Sequence, residues 1–241
     1  MLAEYECKVL SIKNYVDNGK TIYKVIKLEK PKGFNYEAGQ FAMLAHPELK
    51  NKNAPENPLW RPFSIASSPL QDFLEFCILI KPTGGLTQFL EEHLKEGDCL
   101  LVEGPFGIYR LNEAFNKVVF IATGSGITPF MSMLRTLFIK GTNKKLQLFY
   151  GFRNANQFLY REELESYNRQ YSNFEFYCAA SNDPEWPGFK GYVNPLLSEH
   201  AMKGGDVHYY ICGSPVARES ITKHLLTLGV SEENIHIERW V

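Results

Sequence analysis

The sequence predicts two domains of different fold class: an antiparallel β-barrel with one helix, followed by a doubly wound α/β domain built on a parallel sheet. Short runs of β-branched and aromatic residues, separated by Gly, Pro and Asn, fill the first half and are typical of an antiparallel barrel. After about residue 117, strands alternate with helices, which implies right-handed parallel crossovers. We therefore place the two domains at residues 1–113 and 114–241.

The barrel is predicted from its strand-like runs and from one amphipathic helix. Residues 21–28 (TIYKVIKL) partly alternate apolar and polar side chains, as a half-buried strand does. The other strand-like runs lie at 40–45, 73–80 and 99–103. Between the last two runs lies the predicted helix, whose apolar face consists of Leu86, Phe89, Leu90 and Leu94. Gly97 ends this helix.

The second domain is predicted from apolar strands that alternate with helices. Residues 117–122 (KVVFIA) form a continuous apolar run, typical of a strand buried on both faces of a parallel sheet. Pro129 lies near the start of a helix whose residues are apolar nearly all round. The further strands are predicted at 146–151, 174–180, 208–213 and 235–240, and the helices at 128–139, at 161–171 and from Ser214-Pro215 to Gly229.

The composition argues against several classes of function. A formal net charge of −1 disfavours a nucleic-acid binder, which needs a basic face for phosphates. The five cysteines are scattered, and none has the spacing of a zinc or iron–sulfur site. The first residues lack the pattern of a signal peptide, and no apolar run reaches the roughly 18 residues of a membrane span. We therefore expect a cytoplasmic protein with no metal, no nucleic-acid partner and no membrane span.

A glycine-containing turn is the first candidate binding site. Thr123 to Pro129 (TGSGITP) leads from a buried strand into a helix, where backbone N–H groups and the helix dipole can meet a pyrophosphate. Glycine lets the backbone approach a phosphate closely, as Gly124 and Gly126 would here. The turn lacks a third glycine, and no acidic residue ends the next strand at 149–151, so an ordinary strand-to-helix turn is the alternative.

The segment Arg61 to Ser67 (RPFSIAS) is the second candidate. The guanidinium of Arg61 can pair with a phosphate, Phe63 can stack on a planar ring, and the hydroxyl of Ser64 can hydrogen-bond a ring nitrogen. Taken alone, the segment favours the simpler interpretation of a strand end with a surface arginine.

Three further segments carry weaker signals. They are the loop from Lys81 to Thr87, the strand end Cys212-Gly213-Ser214-Pro215, and the terminus Glu238-Arg239-Trp240-Val241. The loop before a helix can bind an anion, and ligands bind at the carboxyl ends of parallel strands. The alternatives are a plain helix cap, a packed cysteine and an aromatic core residue or lid, respectively.

In this order and spacing, the five segments together resemble the ferredoxin–NAD(P) reductase superfamily, over nearly the whole chain. The resemblance implies a bound FAD in the first domain, NADH or NADPH as the substrate of the second, and hydride transfer between them. It matches Arg61 to the FAD pyrophosphate, Phe63 to stacking on the isoalloxazine ring and Ser64 to flavin N5. Gly85 and Thr87 match the second phosphate-binding segment.

The resemblance also assigns residues to the dinucleotide. Thr123–Pro129 matches the pyrophosphate loop, Cys212-Gly213 a motif beside the nicotinamide, and Glu238 and Trp240 a C-terminal carboxylate and an aromatic that covers the flavin. The candidate catalytic residues are Ser64, Cys212, Glu238 and Trp240. The candidate cofactor-binding residues are Arg61, Pro62, Phe63, Ser64, Ile78, Ile80, Gly84, Gly85, Leu86, Thr87, Thr123, Gly124, Gly126, Thr128, Pro129, Arg153, Cys212, Gly213 and Trp240.

Few residues indicate whether the chain uses NADH or NADPH, and FAD or FMN. A 2′-phosphate needs a nearby Arg or Lys, and NADPH-selective relatives carry a Ser-Arg pair where this chain has Ser181, Asn182 and Asp183. NADH is therefore favoured, and Arg153 is the residue that could reverse this preference. Phe63 stands where tyrosine is commoner, which keeps the stacking but removes a hydroxyl. FAD is expected, and FMN is the less favoured alternative.

The electron acceptor is expected to be a separate ferredoxin, flavodoxin or oxygenase component, because this chain lacks the cysteines of an iron–sulfur domain. Seven lysines against four acids in the first 32 residues give a mildly basic edge that could dock an acidic carrier. Solvated strand faces explain this edge equally well. Two alternatives stay open: a reductase that releases reduced flavin, and a non-catalytic electron-transfer subunit of a larger complex.

An aromatic residue that covers the flavin must yield before a nicotinamide can stack there. We therefore expect Trp240→Ala to change both the affinity for the pyridine nucleotide and the turnover. Equilibrium binding and steady-state kinetics of the two proteins check this, and unchanged values in the variant would contradict gating by Trp240.

Overall fold

The computed structural model describes residues 4–82 and 85–238. It confirms both predicted fold classes, an antiparallel barrel first and an α/β unit with a parallel sheet second. The elements of the first part are β1 (Glu4–Asp17), β2 (Lys20–Glu29), β3 (Phe41–Ala45), β4 (Lys50–Asn51), β5 (Ala54–Pro58), β6 (Arg61–Ser64), β7 (Phe73–Leu79), α1 (Leu86–His93) and β8 (Cys99–Phe106). The elements of the second part are β9 (Lys117–Thr123), α2 (Thr128–Lys140), β10 (Lys145–Phe152), α3 (Arg161–Gln170), β11 (Phe174–Ala180), β12 (Phe189–Lys190), α4 (Val193–His200), β13 (Val207–Cys212), α5 (Pro215–Thr227) and β14 (Ile235–Ile237).

Six antiparallel strands form the barrel, in the order β6-β3-β8-β1-β2-β7. The two ends of this sheet meet through a bridge between Ile65 and Phe76 and through a 2.7 Å hydrogen bond from Ala66 N–H to the Glu75 carbonyl. Alternate side chains point inward, so one apolar core fills the barrel. Its fully buried members include Ile26, Leu28, Leu44, Ile65, Leu74, Phe76, Ile78, Leu90 and Leu100.

Several barrel elements differ from the predicted bounds. The prediction omits β1 (Glu4–Asp17), although its first half alternates exposed Glu and Lys with the inward-facing Tyr5, Cys7 and Val9. Its second half loses this alternation, and no residue there is fully buried. The short strands β4 and β5 are polar and carry no apolar alternation either. Helix α1 ends at His93, before the predicted end at Gly97, since Leu94 is extended.

Six parallel strands form the second sheet, in the order β12-β11-β10-β9-β13-β14. The apolar run 118–122 of β9 is fully buried near the centre of this sheet, as predicted. The chain proceeds from β9 to β10 on one side and later continues at β13 on the other side. Such a reversal of strand order opens a crevice at the carboxyl ends of the strands. The sequence does not predict α4 or β12, and the predicted last strand, 235–240, is limited to Ile235–Ile237 within the described residues.

By their internal contacts, the residues divide into two compact units. Unit 1 comprises residues 1–111 together with 128–140, so it contains the barrel and helix α2. Unit 2 comprises residues 112–127 and 141–241 and contains the parallel sheet. The prediction that residues 1–113 bind the flavin and residues 114–241 the dinucleotide also concerns where the ligands bind, and it stays a prediction.

Candidate functional site

Strand β6 carries the predicted flavin-binding residues of unit 1. It is the last strand in the order of the sheet and pairs with β3. The side chain of Arg61 is exposed, and its Nη1 donates a 2.7 Å hydrogen bond to the carbonyl of Trp60. Phe63 is half-buried against the barrel core, Ser64 is buried and Pro62 is exposed. Because residues two apart share a strand face, the guanidinium and the aromatic ring lie on the same side of β6.

The start of helix α1 offers backbone donors to an anion. Gly85 is its N-cap residue, with φ 86°, a left-handed conformation that favours glycine. Among the described residues, no side chain caps the helix, and its first turn holds no acidic residue. The first-turn N–H groups and the positive end of the helix dipole therefore fit a flavin phosphate. Leu59, two residues before Arg61, has its Cδ2 3.9 Å from the position that a Cβ of Gly85 would take, so the two candidate segments are neighbours.

The other predicted flavin-binding residues occupy different places in the barrel. Thr87 Oγ1 accepts a 3.1 Å hydrogen bond from the backbone of the preceding loop, so this hydroxyl closes the loop. Leu86 and Ile78 belong to the core and are 1% and 0% exposed, which does not favour contact with a ligand. Ile80 is half-buried at the edge of the core. Gly84 lies outside the described residues, and the ligand contacts of all five stay predictions.

Two loops of unit 2 meet at the carboxyl ends of β9 and β13, where the strand order reverses. Gly126 packs against the backbone of Cys212, because a Cβ at Gly126 would lie 2.6 Å from the Cys212 carbonyl carbon. A Cβ at Gly213 would likewise overlap Thr123 Oγ1. The predicted pyrophosphate loop, with Gly124, and the Cys-Gly motif thus form one surface at the switch point. The two loops pack so closely that positions 126 and 213 require glycine, a requirement that the sequence alone does not show.

The last residues of the predicted dinucleotide loop lie in unit 1. Thr128 and Pro129 are the first residues of α2, and both are buried. The side chain of Thr128 forms a hydrogen bond with the thiol of Cys77 on β7. Residues 123–125 are partly exposed, so the backbone of this part of the loop is what a pyrophosphate can reach.

A buried thiol–carboxylate pair lies at the end of β13. The Sγ of Cys212 donates a 2.6 Å hydrogen bond to Oε2 of Glu238, and both residues are 4% exposed. Burial, and then the negative charge of Glu238, raises the pKa of Cys212 well above its ordinary value. Cys212 is therefore a neutral thiol at physiological pH. The structure thus brings together two of the four predicted catalytic residues. Ser64 belongs to unit 1, and Trp240 lies outside the described residues.

Arg218 completes this cluster and is not among the residues that the sequence motifs indicate. Its Nη1 donates a hydrogen bond to the backbone carbonyl of Glu238. Its positive charge lowers the pKa of Cys212, against the larger effects of burial and of Glu238. Arg218 lies one turn after the N-cap residue Ser214 of α5, where a positive charge opposes the helix dipole. A basic side chain at this unfavourable position is the one sequence feature that could have indicated a nearby carboxylate or carbonyl partner.

Arg153 and Asp183 follow the neighbouring strands β10 and β11. The side chain of Arg153 is exposed, and its carbonyl accepts a 2.8 Å hydrogen bond from Asn182 N–H. Both carboxylate oxygens of Asp183 accept backbone hydrogen bonds, at 2.9 Å from Ala155 and at 3.1 Å from Glu185. The carboxylate of Asp183 is thus held in place, and one of its partners is the backbone of Ala155, two residues after Arg153.

Comparisons with known proteins agree with this geometry. A family model for an FAD-binding domain matches residues 6–148, and one for an oxidoreductase NAD-binding domain matches residues 120–223. The phenol hydroxylase P5 protein of Acinetobacter pittii is 30% identical over 248 residues, which cover 100% of this chain and 67% of that protein. The toluate 1,2-dioxygenase electron transfer component of Pseudomonas putida is 29% identical over 191 residues, 79% of this chain and 56% of that protein. A ferredoxin NADP+ reductase from Neisseria gonorrhoeae, solved with FAD and NADP, has the same fold, with a TM-score of 0.83, 22% identity and 98% of each chain covered.

The barrel, the parallel sheet and the two sets of loops define the class of flavin- and pyridine-nucleotide-binding oxidoreductases. Since the FAD-binding model spans more than half of the sequence, this chain belongs to the ferredoxin–NAD(P) reductase superfamily. Its cofactors are FAD and a nicotinamide dinucleotide. The chain spans 67% and 56% of the length of the two curated relatives named above.

Gly126→Ala is expected to weaken dinucleotide binding, because the added methyl group would push the pyrophosphate loop away from the backbone of Cys212. We expect the Kd for NAD+ to rise roughly tenfold, equivalent to about 1.4 kcal/mol, in isothermal titration calorimetry. Gly205→Ala is the matched control, because a Cβ at Gly205 meets nothing within 4 Å. Equal Kd values for the two variants would show that the packing of Gly126 does not shape the site.

The raised pKa of Cys212 predicts how stability depends on pH. An unfolded thiol ionises near pH 8.5, whereas the folded thiol stays protonated, so the contribution of Cys212 to stability is present below about pH 8.5 and declines above it. The free energy of unfolding should therefore fall more between pH 8 and pH 10 in the wild type than in Cys212→Ser, which keeps a donor for Glu238. Urea denaturation at both pH values measures this, and parallel declines would contradict it.

Proposed function

We propose that this chain transfers a hydride between NAD(P)H and its bound FAD and passes the electrons to a separate acceptor. One observation supports the proposal above all: a single chain contains both an FAD-binding domain and an NAD-binding domain. Unit 1 presents β6 and the start of α1 at Gly85, and unit 2 presents two closely packed glycine loops at the switch point of its sheet. Bound FAD supplies the redox chemistry, because it takes up a hydride and can release electrons singly.

In this proposal, the residues of unit 1 hold and orient the flavin. Arg61 pairs with the pyrophosphate, and the first-turn N–H groups after Gly85 bind a phosphate. Phe63 packs against the isoalloxazine ring, and Ser64 offers its hydroxyl to the same ring. These groups sit on a strand and a helix of the barrel, so their positions are set by a packed core.

The residues of unit 2 orient the nicotinamide nucleotide. The backbone of residues 123–125 holds the pyrophosphate, as the loop at the switch point allows. Cys212 contacts the nicotinamide as a neutral thiol, which adds no charge next to the transferred hydride. Arg218 is a positioning residue, because it acts through its hydrogen bond to Glu238. Trp240 is proposed to cover the flavin.

NADH is the proposed preferred nucleotide. Both oxygens of Asp183 are held by backbone N–H groups, so its negative charge cannot swing away from an incoming 2′-phosphate. The exposed Arg153 is the basic side chain on the adjoining strand end that would favour NADPH instead.

The proposed acceptor is a separate electron carrier: a ferredoxin, a flavodoxin or an oxygenase component. The names of the two curated relatives, from phenol hydroxylase and toluate dioxygenase systems, favour the oxygenase component. The basic edge considered from the sequence is smaller than the lysine count suggests. Lys24 is buried and lies 3.0 Å from Glu91 Oε2, and Lys30 donates a 2.7 Å hydrogen bond to the Pro69 carbonyl.

A cytoplasmic location is also proposed. All five cysteines are free thiols, as is usual in a reducing compartment. Within residues 4–82 and 85–238, no helix combines the length and the apolar character that crossing a membrane requires.

Anaerobic titration of the purified, flavin-loaded protein tests the proposed function. NADH should bleach the flavin absorbance stoichiometrically, and kcat/KM for NADH should exceed that for NADPH at least about tenfold, because Asp183 repels the 2′-phosphate. Arg153→Ala should lower kcat/KM for NADPH and leave that for NADH nearly unchanged. Absence of bleaching with both nucleotides would refute hydride transfer, and a tenfold preference for NADPH would refute the proposed specificity alone.

The colour of the protein separates the two alternative functions from this one. Stoichiometric FAD that stays bound through purification supports an electron-transferring flavoprotein, whereas its loss together with high turnover of added flavin indicates a free-flavin reductase. Bound FAD without NADH-dependent reduction of an artificial acceptor would indicate a non-catalytic subunit.

A further inference from the structure

A buried polar stripe runs along helix α2, although the sequence predicts this helix to be apolar nearly all round. Its members are Thr128, Ser132, Arg135 and Thr136, whose spacing of i, i+4, i+7 and i+8 places them on one face. They are 2%, 0%, 7% and 8% exposed. Since buried polar groups are costly unless they are hydrogen-bonded, the partners of this stripe indicate its role.

The hydroxyls of Ser132 and Thr136 bond to the segment that follows strand β6. Ser132 Oγ donates a 2.6 Å hydrogen bond to the carbonyl of Ser67. The hydroxyls of Thr136 and Ser68 lie 2.8 Å apart and share a hydrogen bond. Both contacts lie within unit 1 and are buried.

Arg135 adds a charged contact to the same segment. Its Nη1 donates to the carbonyl of Ala66 at 2.9 Å and to Oε1 of Glu75, on β7, at 2.7 Å. Glu75 is itself held to this segment, because its backbone N–H donates a 3.1 Å hydrogen bond to Ser67 Oγ. At the start of the helix, Thr128 bonds to Cys77, also on β7. The whole length of the stripe is therefore fixed to the barrel.

The stripe connects the backbone beside one proposed cofactor site to the backbone beside the other. Residues 66–68 follow the proposed flavin strand, Arg61–Ser64, with only the fully buried Ile65 between them. At the other end, Thr128 follows directly on Gly124–Ile127, the turn that holds the proposed pyrophosphate loop.

A role in stability alone explains this stripe poorly. Apolar side chains would hold a helix on a barrel at least as well, because the desolvation of a buried ion pair cancels much of its attraction. Hydrogen bonds, in contrast, have narrow limits of distance and angle, so a small shift of α2 would weaken all these contacts together. A polar stripe therefore specifies the position of the helix.

We propose that this stripe couples the binding of FAD to the binding of the dinucleotide. The inference rests on the proposed function, because it requires both sites. FAD bound along β6 orders the backbone of 61–68, the stripe then orders the start of α2, and the pyrophosphate loop that precedes it binds its ligand more tightly. By linkage, the dinucleotide must tighten the binding of FAD by the same factor. Ser132, Arg135 and Thr136 are positioning residues in this scheme.

The reciprocal effect can be measured on the holoenzyme. The Kd of FAD is obtained from flavin fluorescence on serial dilution, with and without saturating ADP-ribose. This ligand carries the pyrophosphate and the adenosine but no nicotinamide, so it cannot act by stacking on the flavin. The test protein is the double variant Ser132→Ala/Thr136→Val.

The double variant removes the two hydroxyls that bond to residues 67 and 68, and each partner keeps one other hydrogen bond. Ser68 loses the acceptor of its own proton, because Thr136 Oγ1 donates to the Ser132 carbonyl at 2.6 Å. The Ser67 carbonyl keeps a 3.0 Å hydrogen bond from Tyr36 Oη, and Ser68 Oγ keeps one of 3.2 Å from Leu70 N–H. Ser198→Ala is the matched control, because its hydroxyl lies 2.9 Å from His224 Nε2 between two helices of unit 2. The conservative variant Thr136→Ser keeps a hydroxyl in the stripe and should behave like the wild type.

ADP-ribose should lower the Kd of FAD by at least about fivefold in the wild type, in Ser198→Ala and in Thr136→Ser. In the double variant the factor should fall below about twofold. Two results would overturn the coupling, provided that NADH still bleaches the flavin. One is a wild-type Kd of FAD that ADP-ribose does not change, and the other is a double variant in which ADP-ribose lowers this Kd as much as in the wild type. Failure of NADH to bleach the wild-type flavin would instead overturn the proposed function, and this inference with it.

Discussion

Helix α2 is held against the barrel by an ion pair that is almost completely buried, and the place of this helix in unit 1 depends on it. Arg135 Nη1 and Glu75 Oε1 lie 2.7 Å apart, with side chains that are 8% and 3% exposed. The charges are compensated further, since Arg135 bonds to a backbone carbonyl and the other oxygen of Glu75 lies 3.9 Å from Lys27 Nζ. Loss of one partner of such a pair typically costs about 3–5 kcal/mol, because it leaves an unpaired buried charge. The residues at 75 and 135 are therefore physically linked, although 60 positions separate them.

Unit 2 is organised by steric constraint instead. The ends of β9 and β13 approach so closely that Gly126 and Gly213 have no room for a Cβ. This approach shapes the surface where the strand order reverses, and it places Cys212 next to the proposed pyrophosphate loop. Burial and the neighbouring carboxylate then keep the thiol of Cys212 protonated. One steric requirement thus determines the shape of the site and part of its electrostatics.

The candidate site was predictable where its signals are local. The turn after β9 and the segment Arg61–Ser67 stand out because glycines, an arginine and an aromatic are adjacent in the chain. The partnership of Arg218 with Glu238 was not predictable, since the two residues meet only after β13 and β14 pair in the sheet. The burial of Ile78 in the barrel core likewise depends on packing, not on the residue type.

The sequence by itself determined the fold class of both halves, because the apolar alternation of a strand and the apolar run of a buried strand follow from local backbone geometry. Only the tertiary structure decided where helix α2 belongs. The apolar surface of α2 is compatible with packing on the barrel or on the parallel sheet. Its polar residues do not indicate which of the two until their hydrogen-bond partners are known. Glu75 and residues 66–68 supply those partners within unit 1, where burial strengthens each hydrogen bond and penalises its loss. The helix that follows the predicted dinucleotide loop therefore forms part of the barrel's own unit.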